Sequence, residues 1–182
     1  SDDDGLDDPV SFSYQWQRSA DGSSWSDIAG ATSAEFSPND AEVGSYLRVI
    51  ASYTDNQGTV ETVASSATTS TITNVNDAPI GFSASISGTA AENETLTASA
   101  SVTSDDDGLD DPVSFSYQWQ RSTDDGSSWS DIAGATSASY TLGDDDASNQ
   151  VRVSVSYTDS QGTEETVSSN AQTVTNVNDD PI

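Results

Sequence analysis

Apolar and polar residues alternate strictly along two stretches of this chain. In VSFSYQWQRS, residues 113–122, Val113, Phe115, Tyr117 and Trp119 are separated by Ser114, Ser116 and Gln118, with Gln120 following. In VRVSVSY, residues 151–157, Val151, Val153, Val155 and Tyr157 point one way and Arg152, Ser154 and Ser156 the other. A period of two is that of a strand with one buried face. No helical stripe occurs. Between the alternating runs lie DDDGLDDP, TDDGSS, IAGATS, GDDDASN and TDSQGT, all rich in turn-forming residues. About seven short strands per repeat, at spacings of roughly 8–12 residues, predict an all-β chain built as two-sheet sandwiches.

The pattern occurs twice. SDDDGLDDPVSFSYQWQRS at 1–19 returns letter for letter at 104–122, and WSDIAGATSA at 25–34 returns at 129–138. A period of roughly a hundred residues is too long for a solenoid turn and suits whole domains in a row. Because Ser1 corresponds to Ser104, residues 1–77 are expected to form a partial repeat that lacks its first two strands, the counterpart of 79–103. Its core face from Val10 to Trp16 is then only partly covered. Residues 78–182 are expected to form a complete repeat ending in the next linker, NVNDDPI, which echoes NVNDAPI at 74–80. The 182 residues read as a window on a longer string of beads.

Composition excludes several functions. There are 31 Asp and Glu against 4 Lys and Arg, a formal charge of -27, and no His, Cys or Met. The four basic residues are all Arg and fall at equivalent places, Arg18 with Arg121 and Arg48 with Arg152. Such a surface repels phosphate, so a nucleic-acid partner is not expected, and an anionic membrane is disfavoured by the same sign. No apolar stretch approaches membrane-spanning length, so direct membrane insertion is not expected. Self-repulsion at this charge density calls for bound cations or a salty medium. With no Cys and no Lys, neither disulfides nor Lys–Asn cross-links can staple the fold.

The order of features is immunoglobulin-like: a Trp on the third strand (Trp16, Trp119), a second Trp on a short hairpin strand (Trp25, Trp129), and an acidic turn before an aliphatic strand. Trp and Tyr read first as core. Carbohydrate stacking is the alternative for Trp25 and Trp129.

The acidic clusters are the candidates for chemistry. SDDDGLDDP lies between the second and third strands, TDSQG between the sixth and seventh, GDDDASN before the sixth, and NVND at the domain junction. Only oxygen ligands are on offer, which suits calcium: it accepts six to eight oxygens from flexible loops, whereas transition metals prefer His or Cys. Asp40, Asn76 and Asp77 are expected to meet Asp105, Asp107 and Asp159 around one or more calcium ions. Glu92, Asp144, Asp146 and Asp179 are the further candidate ligands. A solvated acidic turn is the competing reading of each.

These residues also carry a resemblance. NVNDAP at 74–79 resembles the cadherin linker, Asp-x-Asn-Asp-Asn-x-Pro. DDDG at 105–108 resembles the cadherin Asp-x-Asp-x-Gly loop shortened by one residue, AENETL at 91–96 resembles its Glu-Asn segment, and Asp159 falls where cadherins have a ligand Asp. With SYQWQRS and DIAGATSASYTL in the same order, the whole repeat resembles the Ig-like or cadherin-like extender modules of giant repeats-in-toxin type bacterial adhesins. Departures are that Asn74 and Asn176 replace the first linker Asp, and Ala78 or Asp180 the second Asn. The resemblance implies tandem Greek-key β-sandwich domains joined end to end, on a bacterial cell surface or in a secreted matrix. It further implies calcium at the junctions, neighbouring repeats as partners, and projection of a terminal binding domain for adhesion or biofilm attachment.

Two other readings stay open: a filament subunit assembled by strand exchange between copies, and a carbohydrate-binding module. An enzyme is not expected. Without His, Cys or Lys, catalysis would rest on carboxylates in exposed turns, and a catalytic site is seldom copied through adjoining domains.

Overall fold

A computed structural model describes residues 11–177 and divides into two units, Ser1–Val75 and Asn76–Ile182. The second unit has strands β5 (Ser83–Ser87), β6 (Thr95–Ser101), β7 (Ser116–Ser122), β8 (Ser130–Asp131), β9 (Ser139–Thr141), β10 (Gln150–Thr158), β11 (Glu164–Ser168) and β12 (Gln172–Thr173). All paired strands are antiparallel. One sheet has the order β5-β6-β9, the other β11-β10-β7-β8, with β12 also on β10. First, second and fifth strands in one sheet, with third, fourth, sixth and seventh in the other, is the arrangement of an immunoglobulin-like sandwich.

The alternation read from the sequence sets which face closes the core. Trp119, Val151, Val153 and Val155 are buried with Leu96, Ala98, Leu142 and Val174 from the facing elements. Trp119 is fully buried, and its indole nitrogen donates to the Ser137 carbonyl at 3.0 Å, so its one polar atom is satisfied. The cluster of aliphatic side chains stands where antibody domains have a disulfide. The predicted strand at 113–122 starts later, at Ser116, because the ladder with β10 ends at the Ser116–Ser156 pair. Phe115 still packs against the core from outside the ladder.

In the first unit, β1 (Ser13–Ser19), β2 (Ser26–Asp27), β3 (Tyr46–Thr54) and β4 (Val60–Ala64) make one sheet, in the order β2-β1-β3-β4. Its registers repeat those of the second unit: Trp16 faces Val49 as Trp119 faces Val153. Among the described residues, this unit has no counterpart of the β5-β6-β9 sheet. The consequence is visible in burial. Trp16, Val49, Ala51 and Tyr53 are only half-buried, and every residue of β4 is exposed.

Candidate metal centre

The turn after β6 and the turn after β10 meet at one end of the second unit. Asp105 organises the first: its backbone carbonyl accepts from Gly108 N at 3.0 Å and its Oδ1 from Asp107 N at 3.1 Å. Asp159 organises the second, its Oδ1 accepting from Gln161 N and Thr163 N, each at 2.8 Å. The turns are joined where Ser160 N donates to the Gly108 carbonyl at 3.1 Å. Gly108 has φ of +92°, and a Cβ there would lie 2.8 Å from Ser160 Oγ, so both backbone conformation and space demand glycine.

The connecting segment enters at this end. Asp77 N donates to Asp107 Oδ2 at 2.7 Å, and Asn76 Nδ2 to Glu165 Oε1 at 2.8 Å. A carboxylate oxygen of Asp77 lies within 4.8 Å of one of Asp107. Asp105, Asp107 and Asp159 are 8%, 2% and 5% exposed. Two of their oxygens, Asp107 Oδ1 and Asp159 Oδ2, are buried and have no hydrogen-bond donor. A buried acceptor left without a partner costs about 1–3 kcal/mol, and more when charged. Each is a buried oxygen of the kind that a hard cation takes as a ligand.

Tyr157 stands behind the turns. Its hydroxyl donates to Asp105 Oδ2, and its ring packs edge-on to Phe82 at 4.9 Å and Phe115 at 6.2 Å. Burial first, then the hydrogen bond to Asp105, then the charges of Asp105, Glu165 and Asp159 push this hydroxyl above the ordinary tyrosine value. The sequence reading placed Tyr157 with the core and passed over Glu165. An aromatic at the last inward position of a strand looks the same whether its tip meets water or a carboxylate.

Three further expected ligands lie elsewhere within the second unit. Glu92, Asp144 and Asp146 sit at the far end of the second unit, in the β5–β6 connection and the turn before β10. Glu92 is 4% exposed, and its Oε2 accepts from Val177 N at 3.1 Å, fastening the outgoing chain. Asp144 is exposed at the start of the 3-10 turn Asp144–Asp146. Asp40 opens the equivalent turn of the first unit, Asp40–Glu42, which Asn39 caps. Asp179 lies outside the described residues.

Both carboxylate oxygens of Asp146, another of the expected ligands, are hydrogen-bonded within the protein. Oδ1 accepts from Arg121 Nε at 2.7 Å, and Oδ2 from Tyr140 OH at 2.8 Å and Gly143 N at 2.9 Å. Burial and the hydrogen bond to Asp146 push the Tyr140 hydroxyl up to about 12. The first unit repeats the pair, with Arg18 Nη1 3.6 Å from Glu42 Oε1. Asp146→Ala should therefore destabilise the second unit by about 3 kcal/mol in urea unfolding, since it strands Arg121 and Tyr140. Calcium affinity should not change.

The remaining arginines cover the hairpin tryptophans. Arg48 lies over the Trp25 ring at 4.4 Å and Arg152 over the Trp129 ring at 4.3 Å. One face of each indole is thus already occupied by a cation.

No curated protein sequence matches the chain. Among solved structures, the chain is similar to a crystal structure of a set of domains from titin, at 13% identity and a TM-score of 0.39. The match covers 92% of this chain and 55% of that one, so the chain spans about half the length of the titin fragment. The profile of one sequence family matches residues 2–75 and 83–178, taking in both units. The chain therefore belongs to the family described as Domain of unknown function (DUF8696).

Proposed function

We propose that this chain is part of a structural extender: tandem sandwich domains of a large secreted bacterial surface protein, stiffened by calcium and holding a terminal adhesive domain away from the cell. The observation that carries the reading is the pair of buried, donor-less oxygens Asp107 Oδ1 and Asp159 Oδ2 beside the connecting residues Asn76 and Asp77. Asp105, Asp107, Asp159 and Asp77 would hold the ion. Its double charge would offset their mutual repulsion and keep the connecting segment against the domain. An extracellular setting supplies calcium at the concentrations such modules need, with Kd of roughly 10⁻⁴–10⁻³ M.

Repetition favours a spacer over an enzyme, because reach grows with every copy while a catalytic site gains little from near-identical duplication. The absence of His, Cys and Lys leaves carboxylates and tyrosine hydroxyls for acid–base chemistry. At the centre, Asp107 and Asp159 each have one oxygen held by a backbone donor and one without a donor.

Calorimetry on the chain and small-angle scattering on a protein of several consecutive repeats test the reading. Calcium should bind at submillimolar to millimolar Kd. The maximum dimension should grow in proportion to repeat number with calcium, and more slowly in chelator. Equal flexibility in both conditions would overturn the extender mechanism.

A further inference from the structure

We propose that Tyr157 is the positioning residue of this cation site, and that it couples occupancy by a divalent cation to the packing of the aromatic end of the core. The inference rests on the calcium reading above and assigns a role to a side chain that is not itself a ligand.

The geometry forms a relay. Tyr157 is 3% exposed, and its hydroxyl fixes Asp105 through Oδ2. Asp105 in turn fixes the turn through Oδ1, which accepts from Asp107 N at 3.1 Å. That turn sets the direction of the Asp107 carboxylate, whose Oδ2 holds Asp77 N and whose Oδ1 has no donor. Asp159, which carries the other donor-less oxygen, follows Tyr157 by two residues at the end of β10. Tyr157 is therefore tied to the first turn by its hydroxyl and to the second by two residues of backbone.

The other side of the ring is packed into the core. Phe82 meets it edge-on at 79° and stacks on Phe115 at 6.1 Å. Phe82 lies five residues beyond Asp77, so the segment that supplies an oxygen ligand also supplies the ring's main contact. Drawing Asp77 and Asp107 onto an ion tightens that segment over Phe82. Loosening the aromatic contact frees Asp105 to swing toward water.

Outer-shell hydrogen bonds of this kind orient ligands, and their loss typically weakens metal affinity by roughly 10–100-fold. Tyr157→Phe keeps the ring and removes only the hydroxyl. In the full chain it should weaken calcium binding about tenfold by calorimetry, whereas Tyr117→Phe, in the same sheet but away from the turns, should leave it unchanged. Terbium provides an optical readout that a loss of stability alone would not move. At saturating ion, emission on tyrosine excitation should fall markedly in Tyr157→Phe and stay at the wild-type level in Tyr117→Phe.

If the wild-type chain takes up neither ion, the calcium reading fails and this inference falls with it. If the wild type binds calcium while Tyr157→Phe binds equally well, or terbium emission at saturation is unchanged by the substitution, the inference alone is overturned.

Discussion

Trp119→Ala should lower the stability of the second unit by about 3–5 kcal/mol, the range for truncating a fully buried aromatic. The equivalent Trp16→Ala should cost the first unit roughly half as much or less, because part of that side chain is already in water. The two tryptophans sit in identical sequence, SYQWQRS, and both donate from the indole nitrogen to a carbonyl at 3.0 Å. What differs is the second layer. Trp119 is covered by Leu96 and Ala98 of β6 and by Leu142, with Tyr140 at 5.5 Å, while Trp16 has Phe36 at 5.6 Å and an open face. Urea unfolding followed by amide signals of each unit separately resolves the two losses, and avoids treating a two-unit chain as a single transition. Equal losses would overturn the half-covered account of the first unit.

Asp159→Asn should change sign with calcium. In chelator it should stabilise the second unit by about 1 kcal/mol, the low end of what a buried acceptor without a donor costs. Oδ1 would still accept from Gln161 and Thr163, and the amide would replace the donor-less Oδ2 with a group able to donate. With calcium, the same substitution removes a charged ligand. Binding to the folded state alone stabilises by about 2.7 kcal/mol at a hundredfold excess over Kd, and most of that increment should vanish. Thermal unfolding of wild type and variant, each with calcium and with chelator, gives the four values needed. Destabilisation of similar size in both conditions would make Asp159 a turn-former and remove the ion from the argument.

Much of the architecture was legible along the chain because period-two alternation depends only on local geometry. In β10 the sequence pattern and the buried face coincide residue for residue, from Val151 to Tyr157. The placement of the acidic turns followed as well, since strand order decides which connections share an end of a sandwich. Of the candidate site, the sequence named the turns that meet: Asp105 holds the backbone of Asp107, the turn of Asp159 is bonded to theirs through Ser160 and Gly108, and Asp77 is fastened to Asp107.

Tertiary structure decided the rest, and the reason is the same in each case. A carboxylate in a turn has no sequence-level mark of its partner. Asp107 and Asp146 both sit in Asp-rich turns and both are fully enclosed, yet one presents an oxygen to no donor and the other closes on Arg121 and Tyr140. Tyr157 reads as core because alternation reports the direction of a side chain and nothing of what its polar tip will touch. The contrast between Trp16 and Trp119 is the clearest case. Identical residues in identical local sequence are half-exposed in one unit and sealed in the other, because burial belongs to the second sheet and not to the strand that carries the side chain.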